Sequence, residues 1–274
     1  MLQVKTRGFI LDKAPGYGDE GEITIFTEKY GILRVVASGL YRSSAKLSAW
    51  SEPPSLVMAD FMLPEGSSSG RLMTLSPLNL FLEIRTNFGR ISWYYFYLFI
   101  LNNFLPVGIK SLNLFKLWEE TLSSISFSGK VGKNIGLVYF VTRLLGNQGI
   151  YPGFEKCVSC EHQWKEDENA YFTFAEQGLL CGKCLKNYRD NYANTDYCLN
   201  YSLEHLKLLP LKKPLVFPQG ILRIFPPERK VLEICEKSDS FDRAYANVNS
   251  CHKINDLCLK KARNFMLLFL APLM

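Results

Sequence analysis

The chain has 274 residues, 47% hydrophobic and 21% charged, with a net charge of +6. This composition excludes a disordered chain and leaves room for two domains, or for one domain with insertions. The mild positive excess allows nucleic acid or an acidic partner without demanding either.

Residues 1 to about 80 read as β. Val4 to Leu11 alternates in part, and Pro15-Gly16-Tyr17-Gly18 is a turn. Glu22 to Glu28 places Ile23, Ile25 and Thr27 on one face; Lys29-Tyr30-Gly31 breaks the run, and Ile32 to Ser38 resumes it. Leu56 to Leu63 and Leu72 to Leu75 are two more candidates, separated by Gly66 to Gly70. Five short strands in so few residues suit a small closed barrel, since closure removes unpaired edges.

From Leu80 the period becomes helical. Ile91 to Leu105, Leu112 to Ile125 and Gly136 to Leu145 read as helices, the last with Leu137, Phe140, Val141, Leu144 and Leu145 at three-and-four spacing. The apolar stretch Trp93 to Leu101 is broken by Asn102, Asn103 and Pro106, so we expect a buried helix and not a membrane span. No long apolar run follows Lys5 and Arg7, so no signal peptide is expected. Beyond Cys184 the reading is of short helices broken by Pro210, Pro214, Pro218 and Pro226-Pro227.

Four cysteines carry the strongest chemical signal. Cys157 and Cys160, then Cys181 and Cys184, form two C-x2-C knuckles twenty residues apart. Each knuckle aims two sulfurs at one ion, and two knuckles close a tetrahedral shell, so a structural zinc site is expected, without an open position for a substrate. Two disulfides, plain core thiols and iron–sulfur ligation are the alternatives; disulfides need an oxidising compartment. Ala170-Tyr171-Phe172-Thr173-Phe174, between the knuckles, reads as one strand of a zinc ribbon. His162 is expected to be a surface imidazole. The remaining cysteines, Cys198, Cys235, Cys251 and Cys258, suit a reducing cytoplasm; Cys251 and Cys258 with His252 are read as packed thiols instead of a second metal site.

The first 80 residues hold eight Lys/Arg and eight Asp/Glu, unevenly placed: Lys29 to Ser51 contains no carboxylate. Arg34, Arg42 and Lys46 fall there, with Tyr41, Ser43 and Ser44 beside the last two. A basic, hydroxyl-rich loop next to an aromatic suits phosphates and unstacked bases, and small five-stranded barrels bind nucleic-acid strands across strands 2 and 3. Arg7 and Arg71 could extend this surface. A second basic zone holds Lys207, Lys212, Lys213, Arg223, Arg229 and Lys230, which could meet DNA or an acidic peptide tail. No GxxxxGK[ST], HExxH or G-x-S-x-G occurs, so a binding protein is expected and not an enzyme. A protein-interaction adaptor with incidental DNA binding is the competing expectation.

Three segments carry a resemblance. Arg7 to Leu47, RGFILDKAPGYGDEGEITIFTEKYGILRVVASGLYRSSAKL, resembles the barrel signature of the bacterial recombination mediator RecO family. Leu137 to Cys160, LVYFVTRLLGNQGIYPGFEKCVSC, resembles the helix leading into that family's zinc motif, and Tyr171 to Cys184, YFTFAEQGLLCGKC, resembles its second half. The resemblance covers roughly residues 2–185. It departs at Gln177-Gly178, where the family usually has paired glycines, and in the proline-broken end. It implies an α+β protein: an N-terminal five-stranded OB-fold barrel (1–79), then an α-helical domain (80–274) with a zinc-binding insertion (154–185). It also implies a bacterial, cytoplasmic, nucleoid-associated protein without turnover. Such a protein binds single- and double-stranded DNA, anneals strands, cooperates with RecR, and helps RecA replace single-strand-binding protein (SSB). SSB's acidic tail would suit the zone of Lys207, Lys212, Lys213 and Arg223.

Overall fold

The protein is seen in a computed structural model that describes residues 2–42, 46–105, 109–127, 129–149, 153–173, 176, 178–191, 200–202, 221–224, 226–251 and 254–270. The described residues form an α+β fold that divides into two compact units, Met1–Phe127 and Ser128–Met274.

In the first unit five strands close into a barrel of the OB type. They are β1 (Leu2–Pro15), β2 (Gly21–Thr27), β3 (Gly31–Ala37), β4 (Ser55–Leu63) and β5 (Ser69–Asn79), in the order β1-β2-β3-β5-β4. Closure depends on the length of β1. Its first part pairs with β4 (Val4 opposite Phe61) and its second with β2 (Lys13 opposite Ile23). A bulge between Ile10 and Asp12 bends the strand from one neighbour to the other. The circle is completed by the parallel pairing of β3 and β5, with Val36 opposite Arg71. Alternation then sends Ile23, Ile25, Leu33, Val35, Val57, Phe61 and Leu72 inward, all buried. The β2–β3 turn is fixed by the Thr27 hydroxyl, which donates to the Gly31 carbonyl at 2.7 Å and accepts from the Tyr30 amide at 3.0 Å. Gly31 has φ +70°, and a Cβ there would lie 2.3 Å from the Ile109 carbonyl oxygen, so glycine is required twice over.

A short helix, α1 (Lys46–Trp50), bridges β3 and β4. Helices α2 (Leu82–Arg85), α3 (Phe88–Asn102) and α4 (Leu112–Phe127) belong to the barrel's unit. Phe115 of α4 packs on Phe9 and Phe26 at ring separations of 4.9 and 5.5 Å. The type of element changes near residue 80, whereas the compact unit runs to Phe127. Asn87 caps α3 by accepting from the Arg90 amide. The helix buries Tyr94, Tyr97, Leu98, Ile100 and Leu101 but leaves Phe88, Tyr95 and Phe99 exposed.

The second unit packs α5 (Lys130–Asn147), α7 (Pro226–Lys237), α8 (Phe241–Ser250) and α9 (Asp256–Leu270) together. Phe140, Leu144, Val231, Leu232, Ala262 and Phe265 are buried in them. Between α5 and α7 lies the cysteine ribbon. Its elements are β6 (Ala170–Thr173), β7 (Gly178–Leu180), α6 (Gly182–Asn191), β8 (Asn200–Ser202) and β9 (Ile221–Ile224). The sheet order is β7-β6-β9-β8.

Two expectations need correction. Among the described residues after Cys184, α6 is followed by strand: β9 pairs with β6, Phe172 opposite Leu222, and β8 adds beside it. Runs of three and four residues are too short to show a period, so these strands exist through their partners. Nor do Pro226-Pro227 break a helix; they open α7, where a missing N–H is no loss and the fixed φ already suits the first turn. Pro210, Pro214 and Pro218 lie outside the described residues. Among the described residues no helix is long and apolar enough to cross a membrane.

Candidate metal centre and nucleic-acid face

The chain reverses at Cys157–His162 through two backbone bonds: the Cys157 amide donates to the His162 carbonyl at 2.9 Å, and the Glu161 amide to the Cys157 carbonyl at 2.8 Å. This knuckle is locked to the second by the Val158 amide, which donates to Leu179 of β7. Gly178 permits that approach, since a Cβ there would lie 2.2 Å from Val158 Cγ1. Of the Gln177-Gly178 pair, the glycine that packing requires is present.

As a result the four sulfurs of Cys157, Cys160, Cys181 and Cys184 all lie within 4.8 Å of one another. Cys157 and Cys181 are buried, Cys184 is half-buried and Cys160 is exposed, and none is in a disulfide. Burial opposes the thiolate at Cys157, but backbone N–H groups of Cys160, Cys181 and Ser159 outweigh it and bring its pKa down to about 7. At Cys184 the Ser159 hydroxyl favours the thiolate, but burial and three neighbouring sulfurs push the pKa up to about 12. Four sulfurs this close cannot all ionise without a cation among them. The set therefore fits one metal ion, with two knuckles supplying a complete shell and no position for a substrate.

His162 is not part of this set: its Nε2 lies 2.8 Å from a Glu168 carboxylate oxygen. Cys235 is buried in α7, and burial pushes its thiol up. Cys251 and Cys258 are half-buried rather than fully packed away, and they join no metal-ligating group among the described residues. Cys198 and His252 lie outside the described residues.

Around the centre several contacts tie the ribbon to α7. The Arg229 guanidinium, 4% exposed, donates to the carbonyls of Glu168 and Lys165 at 2.7 and 2.9 Å and to the Glu233 carboxylate at 3.0 Å. It also lies 5.1 Å from the Trp164 ring centre. The Trp164 N–H donates to the Phe154 carbonyl, and the Phe154 amide to the Glu236 carboxylate. Arg229 thus belongs to the ribbon's anchor, not to an open basic zone. Lys230 is exposed. Arg223 stands in β9 opposite Tyr171, and Lys207, Lys212 and Lys213 lie outside the described residues.

On the barrel, Arg34, Val36 and Ser38 alternate outward from β3 and its end, and Arg71 of β5 lies beside Val36 on the same outer face. Arg71 bonds Glu20 at 2.6 Å and the Ser38 hydroxyl at 2.8 Å. Arg42 pairs with Asp19 at 2.9 Å. Arg34 and Lys46 are exposed and make no ion pair among the described residues. Lys46 begins α1, and Ser43 and Ser44 lie outside the described residues. Arg7 faces other residues: it bonds Glu28 at 3.0 Å and Glu119 at 3.3 Å, and its hydrogen bond holds the Glu28 carboxyl below its ordinary range. Tyr41 is 40% exposed, with the Lys13 ammonium 4.9 Å from its ring centre.

The family model described as "Recombination protein O C terminal" matches residues 85–211, from α2 through β8 and including all four cysteines. A "DNA repair protein RecO" of Alkaliphilus metalliredigens is 28% identical over 188 residues, 67% of this chain and 72% of the relative. Proteins of the same description from Mesoplasma florum and Bacillus subtilis are 28% and 23% identical, over 72% and 68% of this chain and 72% and 70% of their own lengths. By both comparisons the chain is similar to the RecO family.

Sequence reasoning missed several residues that shape these two regions. Lys13 also bonds Ser48 and Glu52, at 3.1 and 2.6 Å, tying the α1 segment to β1. Arg85 donates to the carbonyls of Pro54 and Ala49 at 3.1 and 3.2 Å, and contacts Glu52 and Ser55 as well. Neither cation has a local pattern that reveals it, because their partners stand 30 to 39 residues away. Arg229 was visible as a charge, but nothing near it in sequence shows that it is buried.

Proposed function

We propose that this protein is a DNA-binding mediator of recombinational repair. It binds single- and double-stranded DNA through the outer face of its barrel, anneals complementary strands and, with RecR, helps load RecA onto SSB-coated single strands. The single observation that carries the reading is the β3–β5 face: Arg34 stands exposed without a carboxylate partner among the described residues, in line with Arg71. Arg42 and Lys46 add charge and Tyr41 a stacking surface. The Arg42–Asp19 and Arg71–Glu20 pairs are exposed, and such pairs are worth about 0–1 kcal/mol, so phosphates can displace these carboxylates. Arg7, held by two carboxylates, is the weakest candidate for a phosphate contact. The division of labour is DNA binding by residues 1–79 and partner binding by 80–274. The resident ion is one structural zinc in the insertion 154–185, because four thiolates suit zinc best. SSB's acidic tail is assigned to Lys207, Lys212, Lys213 and Arg223 on charge alone. Similarity to the RecO family supports a role without turnover, in bacterial cytoplasm.

The test is fluorescence anisotropy with short oligonucleotides across a salt series. Arg34→Ala with Lys46→Ala should weaken single-strand binding and flatten the salt slope by about 1.4, at about 0.7 per phosphate contact. Arg42→Ala alone should do less, because Asp19 already offsets its charge. An unchanged affinity and slope in the double variant would remove the barrel face from the account. A second reading, a protein-interaction adaptor with incidental DNA binding, is favoured by the exposed Phe88, Tyr95 and Phe99 on α3. Absence of any salt-dependent oligonucleotide binding would select it.

A further inference from the structure

We propose that Cys160 is the oxidation site of the metal centre: a peroxide attacks its sulfur, a disulfide to Cys181 follows, and the ion leaves. This rests on reading the four cysteines as metal ligands. Cys160 is the exposed member of the four, and its neighbours Val158, Ser159 and Glu161 are exposed with it. Cys157 and Cys181 are buried and Cys184 is half-buried. A small oxidant arriving from solvent therefore meets Cys160 first. The second partner is Cys181 of the other knuckle, whose Sγ is in contact with Cys160 Sγ at 3.8 Å.

The chemistry closes with a peroxide as the oxidant. The Cys160 thiolate attacks one peroxide oxygen; an S–O bond forms, the O–O bond breaks, and hydroxide leaves. The Cys181 thiolate then attacks the Cys160 sulfur; the S–S bond forms, the S–O bond breaks, and a second hydroxide leaves. Two thiolates are oxidised by two electrons and one peroxide is reduced. The link joins one knuckle to the other and removes a ligand from each, leaving Cys157 and Cys184, too few to hold a structural ion. A dithiol reductant would restore the set.

The experiment uses the full, metal-loaded chain, with limiting hydrogen peroxide and dimedone as a trap for sulfenic acid. Trypsin cuts after Lys156, Lys165 and Lys183, so the first knuckle, Cys181 and Cys184 fall on three different peptides. The first dimedone adduct is expected on Cys160. Without the trap, peptide 157–165 should become linked through Cys160 to peptide 166–183 through Cys181, in step with metal captured by a chromogenic chelator. Cys160→Ser should lose the linked peptide; should that variant fail to hold metal, the order of adducts in the unaltered protein still decides. A first adduct on Cys157, Cys181, Cys184, Cys251 or Cys258, or metal released without the Cys160–Cys181 link, overturns the inference. Metal content measured beforehand separates the two readings. Well under one equivalent defeats the metal centre itself, whereas one equivalent released by another route defeats only the role of Cys160.

Discussion

The barrel and the cysteine ribbon are both small β-structures, and each must hold short strands together. In the barrel the strands close on themselves, and Ile25, Val35, Val57 and Phe61 fill the interior with almost no exposure. In the ribbon the strands are three and four residues long, and the buried cluster at the knuckles is Cys157, Leu180 and Cys181, with Trp164 and Tyr188 against it. The ribbon's other buried side chains, Phe154 and Phe172, pack outward on Phe265 of α9, so the knuckles themselves have little apolar area to offset the entropy of ordering them. At the knuckles the sulfurs, and the contacts of Arg229 and Trp164, take the place of a core of their own. The difference teaches that one molecule can close one β-structure around an apolar interior and build another around four sulfurs, so the two are expected to answer to different reagents.

The largest test of that contrast is metal removal. Ligation in such sites is worth on the order of 10 kcal/mol of folding free energy. Chelation should therefore abolish amide-exchange protection across residues 154–185 while leaving residues 2–79 as protected as before. Loss of protection in the barrel as well, or none in the ribbon, would break the comparison.

A smaller effect sharpens it. Arg229→Met keeps most of the side chain's volume but removes the guanidinium from the Lys165 and Glu168 carbonyls and from the Glu233 carboxylate, leaving the Lys165 carbonyl with the Glu168 amide at 3.2 Å. The expected loss is about 3 kcal/mol in the second unit, together with weaker metal retention against a competing chelator. Thermal or denaturant unfolding followed in both units should show the change confined to the second. A cost within about 0.5 kcal/mol would place Arg229 among surface charges after all.

Smallest of all is Glu161→Gly. Glu161 has φ +57° just after the first knuckle, a conformation that disfavours any side chain, and its ion pair with Lys156 is exposed. Glycine there should raise ribbon stability by about 0.5–1 kcal/mol, seen as tighter metal retention with the barrel unmoved. A loss instead would show that the Glu161 side chain contributes more than its backbone strain costs.

Much of this was legible along the chain. Alternation marked the barrel strands because one face of each is buried, and three-and-four spacing marked α5 for the same reason. The C-x2-C pairs announced a shared site because tetrahedral ligation imposes local spacing. Legibility failed where partners are distant. β8 and β9 are strands through pairing with β6, and Arg229 and Lys13 acquire their roles from residues dozens of positions away.

What the sequence determined by itself was whatever short-range chemistry encodes: periods of two and of 3.6, the knuckle spacing, and the carboxylate-free run holding Arg34, Arg42 and Lys46. Tertiary structure alone decided how each cation is used. Arg34 stays open, Arg42 and Arg71 share carboxylates at the surface, and Arg229 is buried as an anchor. The reason is physical: a charge is defined by the residue, but its solvation and its partners are properties of the folded surroundings.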